Sequence, residues 1–164
     1  MKLIKSIKLY ILICIIGFFL FMYPVISNFW NSLSYSEVIY EYSNNIDESK
    51  AKEMLEKARE YNESLLKKHN MDELTDKQKE EYNSLLNINE NGIIGYISID
   101  AINEKIPIYH GMSSNALDNG VGHLEWSSFP IGGVSTHSVL SAHSGLVDSR
   151  LFTDLNELKI KYEK

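Results

Sequence analysis

Thr136-His137-Ser138-Val139-Leu140-Ser141-Ala142-His143-Ser144-Gly145-Leu146-Val147-Asp148-Ser149-Arg150-Leu151-Phe152 reads as a short strand that runs into a loop. His137 to His143 reads as the strand, β-prone from Ser138 to Ala142, and Ser144-Gly145 breaks the run. His143 therefore arrives at a strand end, a place where a rigid scaffold commonly holds a reactive side chain. Its imidazole is the group most easily poised for proton transfer near neutral pH. A histidine after a strand also serves simply to cap or pack. The residues around it decide between the two.

Upstream, residues 105–133 read Lys-Ile-Pro-Ile-Tyr-His-Gly-Met-Ser-Ser-Asn-Ala-Leu-Asp-Asn-Gly-Val-Gly-His-Leu-Glu-Trp-Ser-Ser-Phe-Pro-Ile-Gly-Gly. Together with Thr136 to Phe152, these blocks closely resemble the sortases, the cysteine transpeptidases of Gram-positive cell surfaces, and most of all class C, the pilin-polymerising group. The resemblance spans about residues 25–158 and is densest from Gly92 to Leu155. It implies a sortase-type β-barrel, of which this chain supplies the first three or four strands. It also implies acyl transfer: a cysteine thiolate attacks the Thr–Gly carbonyl of a Leu-Pro-x-Thr-Gly-like sorting signal. A histidine protonates the leaving amine, an arginine stabilises the oxyanion, and a lysine of the next pilin resolves the acyl-enzyme. His143 matches the catalytic histidine, whereas His110, His123 and His137 match structural positions.

The nucleophile is missing from the matching place. Cys14 is the only cysteine, which excludes an intrachain disulfide, and it lies in an apolar run where a thiolate is disfavoured. Arg59 and Arg150 are the only arginines, and neither falls where the family places its own. After Leu158 the family continues through a Gly-Asp turn into another strand, whereas this chain reads charged residues to Lys164. The expectation is a sortase truncated before its Cys and Arg, inactive as it stands, and marginally folded because an open half-barrel leaves strand edges bare. The alternative is a non-catalytic, membrane-tethered module that binds sorting signals or pilus components.

Leu9 to Ile26 form 18 uncharged residues after Lys2, Lys5 and Lys8. That length just meets a membrane span, and the preceding lysines favour a cytoplasmic N-terminus. The run ends Phe21-Met22-Tyr23-Pro24-Val25-Ile26 and not in the small residues of a cleavage site, so an uncleaved signal anchor is expected. Tyr23 and Trp30 are candidate anchors at its outer end.

The expected division is a cytoplasmic tail (1–8), a transmembrane anchor (9–26), a helical extension (27–91) and the partial barrel (92–164). That places a single-pass protein in the cell membrane with its C-terminal part outside and membrane lipid around its N-terminal helix. The fold class is mainly β with a helical N-terminal extension.

Within the extension, Val38, Tyr42 and Ile46, then Ala51, Met54, Leu55, Ala58, Leu65 and Leu66, mark an apolar stripe. Asn44-Asn45 and Asp47 split it into two helices, with Asp47 as N-cap of the second. Glu53–Lys57 and Glu63–Lys67 are i,i+4 pairs. Ala58 to Leu66 is similar to a stretch of the class C extension. Residues 69–91 lack strand character; Asp72 and Asp76 have no adjoining Pro and aromatic, so the class C lid is expected to be absent or altered.

Further on, Asn89 to Gly92 is a turn, and Ile94–Ile99 and Ile106–Tyr109 are strands. Pro107 places the second of these at a sheet edge or starts it. Ser113 or Ser114 caps a short helix ended by Gly120, and Arg150–Leu158 is helical.

A formal net charge of −6, with 14 acids against 8 bases in residues 35–92, argues against nucleic acid as a partner. Pilins or surface proteins with sorting signals are the implied partners. No cofactor is implied. His110, His123, His137 and His143 lie 13, 14 and 6 apart, which fits no compact metal pattern. Ser141 and Ser144 flank His143 without a nucleophile elbow, which counts against a serine hydrolase.

Overall fold

The computed structural model describes residues 2–44, 46–66 and 74–158. Four helices and four strands follow in the order α1 (Lys2–Asn44), α2 (Glu48–Leu66), α3 (Asp76–Ser84), β1 (Ile93–Ile99), β2 (Glu104–His110), α4 (Ser114–Asn119), β3 (Val121–His123) and β4 (Leu140–Ser141). Two 3₁₀ turns, Asp100–Ile102 and Thr153–Glu157, complete them.

The apolar segment and the first arm helix, expected as separate elements, form one continuous helix that contains Pro24. Proline removes a single intrahelical donor, and the long uncharged flanks carry the helix past it. From Ile7 onward α1 is long and apolar enough to cross a membrane, and none of that apolar window is buried in the protein. Beyond it, Ile39 and Tyr42 are buried, and the Tyr42 hydroxyl donates to the Ile94 carbonyl at 3.1 Å. The far end of α1 thus docks on β1.

Asp47 caps α2 as expected: its carboxylate accepts from the Ser49 N–H at 2.8 Å. Ala58, Tyr61, Asn62 and Leu65 are the buried residues of α2, at the spacing of one helix face. Leu55 and Leu66, placed in the stripe from sequence, are exposed instead, because the buried face follows Tyr61 and Asn62. The Glu53–Lys57 pair is present at 2.7 Å. Asn45, Lys67, Asp72 and the tail from 159 lie outside the described residues, so the Glu63–Lys67 pair does too.

The stretch after residue 73, read only as polar, carries α3. The Thr75 N–H donates to Gln78 Oε1 at 2.9 Å, half of a reciprocal cap. The helix delivers Tyr82, followed by Leu85 and Leu86, into the core.

The sheet has the order β1-β2-β3-β4. β1 and β2 are antiparallel, β2 and β3 parallel through α4, and β3 and β4 antiparallel. Pro107 therefore sits within an inner strand and not at an edge. The parallel pairing begins only at Ile108↔Val121, so Pro107 has no ladder partner on that side and its missing N–H costs nothing there. β3 had no strand signal beyond Val121, since Gly122 and His123 carry none.

The strand expected over 137–143 shrinks to Leu140–Ser141. Its first half is tied elsewhere: the His137 carbonyl accepts from Ser128 N and the Val139 carbonyl from Leu124 N, at 2.9 and 3.0 Å. α4 runs as expected, with Ser113 Oγ accepting from the Ala116 N–H. The expected helix at 150–158 is the 3₁₀ turn Thr153–Glu157.

Candidate active site

The core under the site is built from aromatic rings. Phe129 stacks on Tyr82 and on His123 at centroid distances of 5.1 Å and interplanar angles of 12° and 7°. Asn62 from α2 closes the loop that carries Phe129: its side-chain oxygen accepts from Phe129 N at 2.7 Å, and its amide donates to the Phe129 carbonyl at 3.1 Å.

His123 is completely buried. Its Nε2 lies 2.9 Å from the Ser128 carbonyl, which can only accept, so Nε2 carries the proton. Nδ1 then accepts from the Tyr82 hydroxyl at 2.9 Å. That hydroxyl also accepts from Gly111 N at 3.0 Å. Burial pushes the His123 imidazole down to about 4 and the Tyr82 phenol well above its usual range. His110 is lowered for the same reason, and its Nε2 faces the Leu85 carbonyl at 2.8 Å. Both imidazoles are neutral framework. His137 is exposed, and its backbone is bonded to the 127–128 loop.

His143 differs from the two enclosed rings by its exposure and from His137 by standing just past a strand end. It follows β4 directly, is exposed, and has its Nε2 3.7 Å from Asp118 Oδ1 at the end of α4. That distance is too long for a hydrogen bond, and an exposed pair of this kind contributes little energy. The ring is thus free for chemistry while its backbone is held. The His143 carbonyl accepts from Phe152 N at 3.1 Å, and Gly145 N donates to Thr153 Oγ1 at 2.9 Å. Gly145 has φ +78°, the left-handed turn that breaks the strand where the sequence placed the break.

Ser141 is half-buried in β4 and Ser144 is exposed. Arg150 pairs with Asp154 at 3.0 Å. Cys14 is exposed on the apolar part of α1. Of the four described histidines His123 is buried, His110 is half-buried against it, and His137 and His143 are exposed, and among the described residues no group of three metal-ligating side chains converges.

Asp118 beside His143 was not foreseen. The two are 25 positions apart, and only the capping of α4 by Ser113 and the close approach of Gly120 to β2 bring them together. A Cβ on Gly120 would meet the Pro107 carbonyl at 2.5 Å.

Comparison with known proteins gives a consistent answer. Residues 97–163 match the family model of the sortase domain. Sortase C1 from Streptococcus agalactiae is 45% identical, with a TM-score of 0.68 over 76% of this chain and 66% of that one. Sortase C of Clostridium perfringens, solved with the C-terminal cell wall sorting motif, is 40% identical, with a TM-score of 0.60 over 76% and 64%. Sortase C of Streptococcus pneumoniae, described in terms of catalysis and pilin substrate specificity, is 33% identical, with a TM-score of 0.59 over 75% and 63%. No curated protein matches the chain. The chain spans just under two thirds of the length of these solved relatives. The chain thus carries a sortase domain over residues 97–163 and is similar in sequence and fold to class C sortases.

Proposed function

We propose that this chain carries the proton-transfer side of a membrane-anchored, pilin-joining cysteine transpeptidase that acts on Leu-Pro-x-Thr-Gly-like sorting signals of pilins or surface proteins. His143 carries the reading: it is exposed just past the end of β4, whereas His123 and His110 are enclosed and neutral and the exposed His137 stands apart from any strand end. As a cysteine thiolate takes the threonine carbonyl, the Thr–Gly bond breaks and the departing amine takes its proton from His143. An amine of the next subunit then resolves the thioester, with an arginine holding the oxyanion.

In this layout residues 1–8 face the cytoplasm, 9–26 span the membrane, 27–91 form the helical arm and 92–164 the sortase part outside the cell. The 164 residues bring no thiol to His143, since Cys14 lies in the apolar segment. Taken alone, this polypeptide forms no acyl-enzyme. That single observation favours a second reading, a non-catalytic tethered module that docks sorting signals or pilus components.

The test is to join Cys- and Arg-bearing strands of the Streptococcus agalactiae relative in register after Leu158 and assay peptide transpeptidation. The extended chain is expected to be active, and the unextended one to give no acyl adduct by mass spectrometry. His143→Ala should lower the rate by about 10²–10⁴-fold, whereas His137→Ala keeps most of it. A folded extended chain that is inert, beside an unextended chain that binds the peptide, would leave only the docking reading.

A further inference from the structure

The loop after His143 is bonded to α1, and the level of that attachment is informative. The Asp148 carbonyl accepts from Ser27 Oγ at 2.9 Å and from Asn31 Nδ2 at 2.6 Å. The next residue, Ser149, shares a hydrogen bond with the Tyr35 hydroxyl at 3.0 Å. Ser27 is the first residue after the apolar run Leu9–Ile26, where polar side chains begin. With a rise of about 1.5 Å per residue, Ser27 and Asn31 lie roughly 2 and 8 Å beyond that end along the helix axis. The polar layer on each side of a bilayer's hydrocarbon core is roughly 5–8 Å deep. The anchored loop falls inside that layer.

The side chains at this level suit it. Leu146 and Val147, immediately before the anchored carbonyl, are 40% and 63% exposed. On α1 at the same height, Phe29, Trp30 and Leu33 are exposed as well. No neighbour among the described residues covers them, and they alternate with the polar Ser27, Asn28, Asn31 and Ser32, as side chains at a membrane interface do. Glu104, Lys105 and Arg150 line the cleft beside Pro24, Val25 and Phe29, and Asp148 next to Val147 is exposed, charged groups that suit the polar headgroup layer and not the hydrocarbon.

We propose that Leu146 and Val147 insert into the outer-leaflet interface beside α1, so that His143 is held at the lipid surface and works on chains still close to the membrane. The proposal rests on reading α1 as a membrane span, and its partner is the lipid bilayer itself. The helix and the loop form one wedge, tied together by three hydrogen bonds, with no linker to let the site swing away.

The test uses the full chain with Cys14→Ser, reconstituted in phosphatidylcholine–phosphatidylglycerol vesicles. A single cysteine carrying an environment-sensitive fluorophore is placed in turn by Val147→Cys, Val134→Cys and Leu20→Cys. Val134 is 90% exposed and far from α1 in sequence, and Leu20 lies within the apolar run. The 147 label is expected to be blue-shifted and quenched by spin-labelled lipids with the quencher near the headgroup, while the 134 label stays aqueous and unquenched. A 147 label that is aqueous, or blue-shifted yet unquenched by lipid, together with a lipid-quenched label at 20, overturns the insertion and leaves the span intact. An aqueous label at 20 overturns the span and the insertion with it.

Discussion

Two histidines twenty and more residues upstream of His143 show what a histidine does when it is not meant to titrate. His123 is enclosed by Tyr82, Phe129 and the Ser127–Ser128 turn, and every ring nitrogen has a partner that suits the neutral form. Its pKa falls from an ordinary 6.5 to about 4. The unfolded chain therefore binds a proton between those values that the folded chain does not, and stability falls as pH drops through this window. The loss begins below about 6.5 and is complete near 4, amounting to roughly 3 kcal/mol for this residue. His110, lowered by burial too, acts in the same direction. Urea unfolding of the chain in detergent should show a markedly lower midpoint at pH 4.5 than at pH 7. His123→Gln should start less stable but show a flatter pH slope; an unchanged slope would mean that other groups carry the acid sensitivity.

At the scale of elements, the site depends on how closely β2, α4 and β3 approach one another. Gly122 lies in β3 where a Cβ would meet the Gly111 carbonyl at 2.7 Å and the Leu117 side chain at 3.1 Å. The first of these is backbone and cannot step aside, so the strand itself must shift. Gly122→Ala is expected to destabilise the chain by about 1–3 kcal/mol, read as a lower urea midpoint. The β3–β4 register carries Ser141 opposite Gly122, so the same substitution should alter the environment of His143, seen as a change in its imidazole NMR shifts. Gly145→Ala, by contrast, meets no atom and suffers only from its positive φ. α3 illustrates the other half of the packing: a nine-residue helix, polar along most of its length, is held by the one ring it buries, Tyr82.

For the molecule as a whole, the continuity of α1 links topology to geometry. The helix runs from the apolar segment to the docked residues Ile39 and Tyr42 without interruption. The sheet, the Asn62–Phe129 clamp and the His143 loop are then carried at a set height along it. Protease added to intact protoplasts is expected to remove an epitope placed at the C-terminus, as the proposed orientation with Lys2, Lys5 and Lys8 inside implies. Full protection of that epitope, with digestion after lysis, would reverse the orientation.

What the sequence alone determined is what depends on local chemistry. The 18-residue apolar run, the Asp47 and Ser113 caps, the glycine break after His143 and the order of the family's blocks are each contained in stretches of adjacent residues. What only the tertiary structure decided depends on partners far apart in the chain. The strand expected at 137–143 lost its first half to the Leu124–Ser128 loop, and Pro107 proved compatible with an inner strand because β3 pairs only beyond it. Tyr82 became a core residue because His123 and Phe129 offered it a stack, which no periodicity in a polar nine-residue helix announces. The attachment of Asp148 to Ser27 and Asn31 joins residues more than a hundred positions apart. Helix caps and turns act over three or four residues, whereas buried hydrogen bonds and ring contacts form only once the chain has closed on itself.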